Sequence, residues 1–96
     1  MEENNNSCVQ HHQICEELTA LYRKKNHDYG DSFHKSYNEW GLTMAAIRLE
    51  DKLNRFKNLA RNGAEVTDES LRDTLVDLAN YAIMTVMEID WERMPW

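Results

Sequence analysis

One proline and three glycines in 96 residues constrain this chain more than any other feature. A β fold turns every few residues and draws on Gly and Pro to do so. Here only Gly30, Gly41, Gly63 and Pro95 punctuate the chain, and the segments between them suit helices. The length allows one domain at most. It can bury a modest core, so a helper such as self-association is expected.

The apolar residues follow the helical period. Ser7 is a plausible N-cap, and Ile14, Leu18, Leu21 and Tyr22 recur at spacings of 3 and 4, which predicts a first helix from about Cys8 to Lys25. Residues 1–6 read as a frayed, disordered tail, leaving 7–96 as a single all-helical domain. Asn26 to Phe33 has loop composition. Ser32 to Trp40 suits a short helix with Phe33, Tyr37 and Trp40 on its apolar side. Thr43 is the expected N-cap of a second long helix, from about Met44 to Asn62. Ala46, Leu49, Leu53, Phe56 and Ala60 form its face, and Gly63 stands where a C-terminal cap belongs. Thr67 or Asp68 caps a third long helix, with Ser70-x-x-Asp73 as a shifted alternative. This helix reaches about Glu92, and Leu71, Leu75, Leu78, Ala82, Val86 and Ile89 line its principal face. Val76, Ile83 and Met87 make a second apolar face, and a helix apolar on two sides needs partners on two sides. The expected architecture is therefore an all-α bundle of three long helices plus a short one, oligomerising through the last helix as a homodimer or higher.

Charge excludes some functions. Eleven Lys+Arg against 17 Asp+Glu give a net charge of −6, which argues against direct binding of duplex DNA. Residues 1–63 hold nine acids and nine bases, and residues 64–96 hold eight acids and two bases. The whole excess thus lies in the last third. No apolar run approaches the roughly 20 residues of a membrane span. The acidic, polar Met1-Glu2-Glu3-Asn4-Asn5-Asn6 is the opposite of a secretory signal. Cys8 and Cys15 lie on one helix face two turns apart, too far to bridge each other. The expected compartment is reducing and cytoplasmic.

Three groups could carry chemistry. Asp73, Asp77 and Asn80 stand at i, i+4 and i+7, on one stripe about 40–60° wide. Two carboxylates on successive turns can share a hard cation such as Mg²⁺. They can equally serve the helix dipole or pair with a neighbouring Lys or Arg. In the second long helix Arg48, Asp51, Lys52 and Arg55 are mutual i+3/i+4 neighbours. They read as a self-paired, solvated face, or as Glu50 or Asp51 for a metal with Lys52 or Arg55 for a phosphate. The segment Lys24 to Phe33 packs two cations, Tyr29 and Gly30 together. It reads as the lip of a nucleotide pocket or as a helix–turn–helix corner. His11, His12, His27 and His34 show no metal-ligand spacing. Trp40, Trp91 and Trp96 read as packing or interface residues.

In order along the chain come Lys25-x-x-Asp28-Tyr29-Gly30-x-Ser32-Phe33, Arg48-Leu49-x-Asp51-Lys52-x-x-Arg55, and Asp73-Thr74-Leu75-x-Asp77-Leu78-Ala79-Asn80-Tyr81-Ala82. Together they resemble the type 1 nucleotide modification associated domain of many phages and bacteria, over about Leu18 to Glu88. That domain looks related to the all-α, MazG-like nucleoside triphosphate pyrophosphatases. The resemblance implies an oligomeric helical bundle that binds a nucleotide between helices. In the enzymes, acids on two helices hold Mg²⁺, which activates water for attack at phosphorus. Carried over, Asp73 and Asp77 are the catalytic acids, and Glu50, Asp51, Asp73 and Asp77 the metal ligands. Lys25, Asp28, Tyr29, Ser32, Phe33, Arg48, Lys52, Arg55, Asn80 and Tyr81 are the nucleotide contacts. The chain departs from the Glu-x-x-Glu and Glu-x-x-Asp patterns of the enzymes, since Thr74 stands three before Asp77, and Leu53 and Asn54 stand three after Glu50 and Asp51. The function implied is a Mg²⁺-dependent nucleotide pyrophosphatase. The alternatives are a non-catalytic binder, for example of a cyclic signalling nucleotide in a phage, and a small homo-oligomeric interaction module.

Overall fold

A computed structural model describes residues 2–29, 31–63 and 68–93, with side chains over 5–27, 31–63 and 70–93. The described elements are four helices, α1 (Glu2–Tyr29), α2 (Ser32–Trp40), α3 (Leu42–Arg61) and α4 (Asp68–Arg93). No strand occurs among the described residues, as the scarcity of Gly and Pro requires. No described helix is long and apolar enough to cross a membrane. The expectations placed on Gly30, Thr67, Pro95 and Trp96, and on the side chains of Asp28, Tyr29 and Asp68, lie outside the described residues.

The chain divides into two compact units, Met1–Asp31 and Ser32–Trp96. The first unit is α1. It starts before the expected Ser7 cap, so Ser7 lies inside the helix and the segment 2–6 is helical. It also runs through Asn26 to Tyr29, which loop composition had assigned to a corner. None of those residues blocks a helix; the break falls where Asp31 adopts a left-handed backbone, φ 61°, which a right-handed helix cannot continue. On its surface His12 Nε2 meets Glu16 Oε1 at 2.7 Å, one turn on, a pair worth a few tenths of a kcal/mol. Cys8 and Cys15 are both free thiols.

The second unit begins with α2, whose bounds match the sequence expectation. Gly41 then holds φ 67°, ψ −151°, a region essentially confined to glycine. It joins the two helices in one step: its N–H donates to the Tyr37 carbonyl at 2.7 Å, and its carbonyl accepts from Met44 N–H at 3.1 Å. This turn starts α3 at Leu42, two residues before the expected start, so Thr43 is not its cap. At the other end the Asn62 N–H donates to the Asn58 carbonyl at 3.2 Å, and Gly63 takes the left-handed φ of 51° that a helix C-terminus favours.

α3 packs along α4, and α2 lies against both. The buried centre is Tyr37, Met44 and Ala45, with Phe33 packed on it. Both long helices turn a different face inward from the one that apolar spacing picks out. On α3, Leu49 and Phe56 are half-buried as expected, but Ala46 and Ala60 are exposed and Leu53 is 40 % exposed. The inward edge is rotated toward Ala45 and Lys52. On α4, Leu75 is 43 % and Val86 56 % exposed, while Thr74 and Glu88 are buried. Polar pairing explains this rotation. At about 100° per residue, Thr74, Asp77, Tyr81 and Glu88 form one stripe. Facing α2 and α3, Asp77, Tyr81 and Glu88 find partners there that an apolar surface could not supply, while Thr74 donates to the Ser70 carbonyl within α4. Of the second apolar face, Val76 is buried, Met87 half-buried and Ile83 exposed.

Candidate anion-binding cleft

Arg48, Lys52 and Arg55 recur at i, i+4 and i+7 on α3, within an arc of about 60°. At 1.5 Å rise per residue they span about 10 Å along the helix axis. They line a cleft of about 630 Å³ together with Asp51, Asn54 and Tyr81. Arg48 and Arg55 are exposed, whereas Lys52 is half-buried because α4 covers its stem.

Lys52 is the centre of the arrangement. Its Nζ lies 3.4 Å from Asp77 Oδ2 across the helix interface, and 5.9 Å from the centroid of the Tyr81 ring. Tyr81 lies one turn beyond Asp77, so the carboxylate and the ring reach the same ammonium. The Tyr81 ring also meets Phe33, 5.8 Å between centroids at an interplanar angle of 40°. Both charged side chains of the pair remain about a quarter exposed, 28 % and 24 %. Water therefore screens it, and its worth is about 0–1 kcal/mol. An incoming anion can compete for Lys52 at modest cost.

Of the residues picked from sequence, the structure brings Arg48, Asp51, Lys52, Arg55 and Tyr81 together, with Asp77 joined through Lys52. Ser32 and Phe33 line a smaller adjoining hollow of about 110 Å³ that shares Arg48 and Tyr81. Asn80 is buried and does not line the cleft. Asp73 is exposed one turn before Asp77. Glu50 lies about 200° round α3 from Arg48, on the opposite side of the helix. Lys25 is exposed on α1.

Among the described residues the acids named for magnesium are not gathered at one point. Asp77 meets Lys52, Glu50 faces away from the cleft, and Asp51 stands among three cations. Among the described residues no group of three or more His, Cys, Asp or Glu side chains gathers as metal ligands would. Cations, not carboxylates, dominate the cleft.

A second polar cluster escaped the sequence reading. Glu88 is 3 % exposed, and both its carboxylate oxygens meet His34 Nδ1, Oε2 at 2.9 Å. A carboxylate only accepts, so Nδ1 carries the proton. His34 Nε2 lies 3.2 Å from the Asn38 side-chain amide, and Trp91 stands edge-on to the imidazole at 5.5 Å. Beside them the Tyr37 hydroxyl donates to Glu92. Its pKa is raised above the ordinary 10.0, first by burial, then by the hydrogen bond and charge of Glu92 and the charge of Glu88, with Arg93 opposing. The available signal was periodicity: Glu88 lies seven residues after Tyr81 and eleven after Asp77, hence on their stripe.

No curated protein and no solved structure matches the chain. The family model described as nucleotide modification associated domain 1 matches residues 25–89, which include α2, α3, most of α4 and every residue that lines the cleft. The chain belongs to the nucleotide modification associated domain 1 family.

Proposed function

We propose that the second unit binds the phosphates of a nucleotide in the cleft between α3 and α4. Arg48, Lys52 and Arg55 supply the charge, and Tyr81 backs Lys52 so that its ammonium points at the ligand. The observation that carries this reading is the row of three cations, about 10 Å long, along a cleft where the nearest α4 carboxylate is already spent on Lys52. A row of that length suits a polyphosphate chain better than a single phosphate. Family membership supports the nucleotide as the ligand class. Because the acids named for magnesium are not gathered at one point, binding rather than hydrolysis is the reading, with no metal required.

Self-association through α4 belongs to the same proposal. Leu75, Ala82, Ile83 and Val86 are exposed on it, and light scattering reports whether they are covered in solution.

The test is titration calorimetry of nucleoside triphosphates in EDTA, with pyrophosphate release followed in parallel with magnesium. The reading expects metal-independent binding, weakened about tenfold or more by Lys52→Ala or Arg55→Ala, since each removes a charge-assisted hydrogen bond. Binding abolished by EDTA would overturn the metal-independent reading, and magnesium-dependent pyrophosphate release abolished by Asp77→Ala would establish the pyrophosphatase.

A further inference from the structure

The hollow beside Trp40 adjoins the cation row. It measures about 520 Å³ and is lined by Ser36, Trp40, Thr43, Met44, Ile47 and Arg48. That volume is in the range of small-molecule sites. Arg48 lines this hollow, the small hollow near Phe33 and the cationic cleft alike. It is therefore the joint between an apolar compartment and a charged one.

The two aromatic residues available to a base are not equivalent. Tyr81 is engaged by Phe33 and by the Lys52 ammonium, so a base would displace existing contacts to stack on it. Trp40 ends α2 at the Gly41 turn and is 67 % exposed, and Ile47 across the same hollow is 56 % exposed. An indole in that state is poor packing and a good platform, because every base has a π-face to lay on it.

We propose that the Trp40 hollow is the base subsite of the nucleotide. The base stacks on Trp40 against Met44 and Ile47, the first phosphate meets Arg48, and the remaining phosphates run along α3 to Lys52 and Arg55. The ligand class is a nucleoside polyphosphate bound with its base at the N-terminal end of α3. This inference rests on the phosphate reading of the cleft, and inorganic tripolyphosphate separates the two.

The experiment is calorimetric titration of the full chain with the four common deoxynucleoside triphosphates and with inorganic tripolyphosphate. It compares the natural protein with Trp40→Ala and Trp40→Phe. Trp40→Ala is expected to weaken a nucleoside triphosphate at least about fivefold, the loss of one stacked base. Trp40→Phe restores most of the affinity, and tripolyphosphate binds all three proteins equally. Nucleotide affinity unchanged by Trp40→Ala, with tripolyphosphate still bound, overturns the base subsite and leaves the phosphate cleft standing. Equal weakening of both ligands also overturns the subsite, because it marks Trp40 as structural. Failure of the natural protein to bind either ligand overturns the cleft and the subsite together.

Discussion

Replacing His34 by alanine isolates the cost of leaving Glu88 without its hydrogen-bond donor. Glu88 is 3 % exposed, and removing one partner of a buried pair costs about 3–5 kcal/mol when the remaining charge stays dry. His34 is 39 % exposed, so its removal opens a path for water on that side, and the carboxyl can also take up a proton. The cost then falls toward that of a lost hydrogen bond to a charged group, and about 2 kcal/mol is expected. For a chain of this size 1 kcal/mol shifts Tm by roughly 4–8 °C, so the expected loss is about 8–16 °C. Urea and thermal denaturation followed by far-UV circular dichroism measure it. Glu88→Gln keeps an acceptor for Nδ1–H and is expected to lose less than His34→Ala. In a double-mutant cycle His34→Ala and Glu88→Ala should couple, because removing both partners leaves nothing unsatisfied. A His34→Ala loss below about 0.5 kcal/mol, the range of ordinary surface changes, would refute the view that this pair fixes the rotation of α4.

Three further outcomes follow from the geometry. The raised Tyr37 pKa means that the folded state holds the phenolic proton more tightly than the unfolded chain. The associated stability is fully present below pH 10.0 and is lost as pH rises through the folded value. Alkaline denaturation profiles of the natural protein and Tyr37→Phe should therefore converge at high pH, and parallel profiles would contradict the shift. Gly41→Ala meets no atom within 4 Å and so costs only backbone strain, about 1–3 kcal/mol, measurable by urea denaturation; a neutral result would mean that the turn relaxes. Val86→Asp places a charge on the exposed apolar stripe of α4. If that stripe joins copies of the chain, light scattering shows a smaller particle, and an unchanged mass removes α4 as the interface.

The bounds of α2 and α3 were the most legible, because glycine marks the ends of α3. Gly41 and Gly63 stand at the two ends of α3, and α2 falls where Phe33, Tyr37 and Trp40 place it. The rotation of the long helices was not legible. Apolar spacing gives Leu75 and Val86 as the buried line of α4, but the face turned inward carries Asp77, Tyr81 and Glu88, whose partners lie on other helices, together with Thr74, which bonds back to the Ser70 carbonyl of α4. A polar stripe reads as solvent-facing until its partners are known, so the pairing of Glu88 with His34 is not legible in the sequence. The cleft was half legible. The i, i+4, i+7 spacing of Arg48, Lys52 and Arg55 puts them on one face from sequence alone. That Asp77 meets Lys52, rather than joining the other acids, depends on the register of α3 against α4, and no local pattern encodes it.

The most direct test of the cation-cleft account is nucleotide affinity of Asp77→Asn in EDTA. The substitution keeps the shape of the side chain and removes the charge that Lys52 now meets at 3.4 Å. Freed from that pair, Lys52 serves the phosphates alone, and binding should tighten about two- to fivefold, the worth of a part-exposed ion pair. Weakened or abolished binding would contradict the account, because it would mean that Asp77 itself helps to hold the nucleotide.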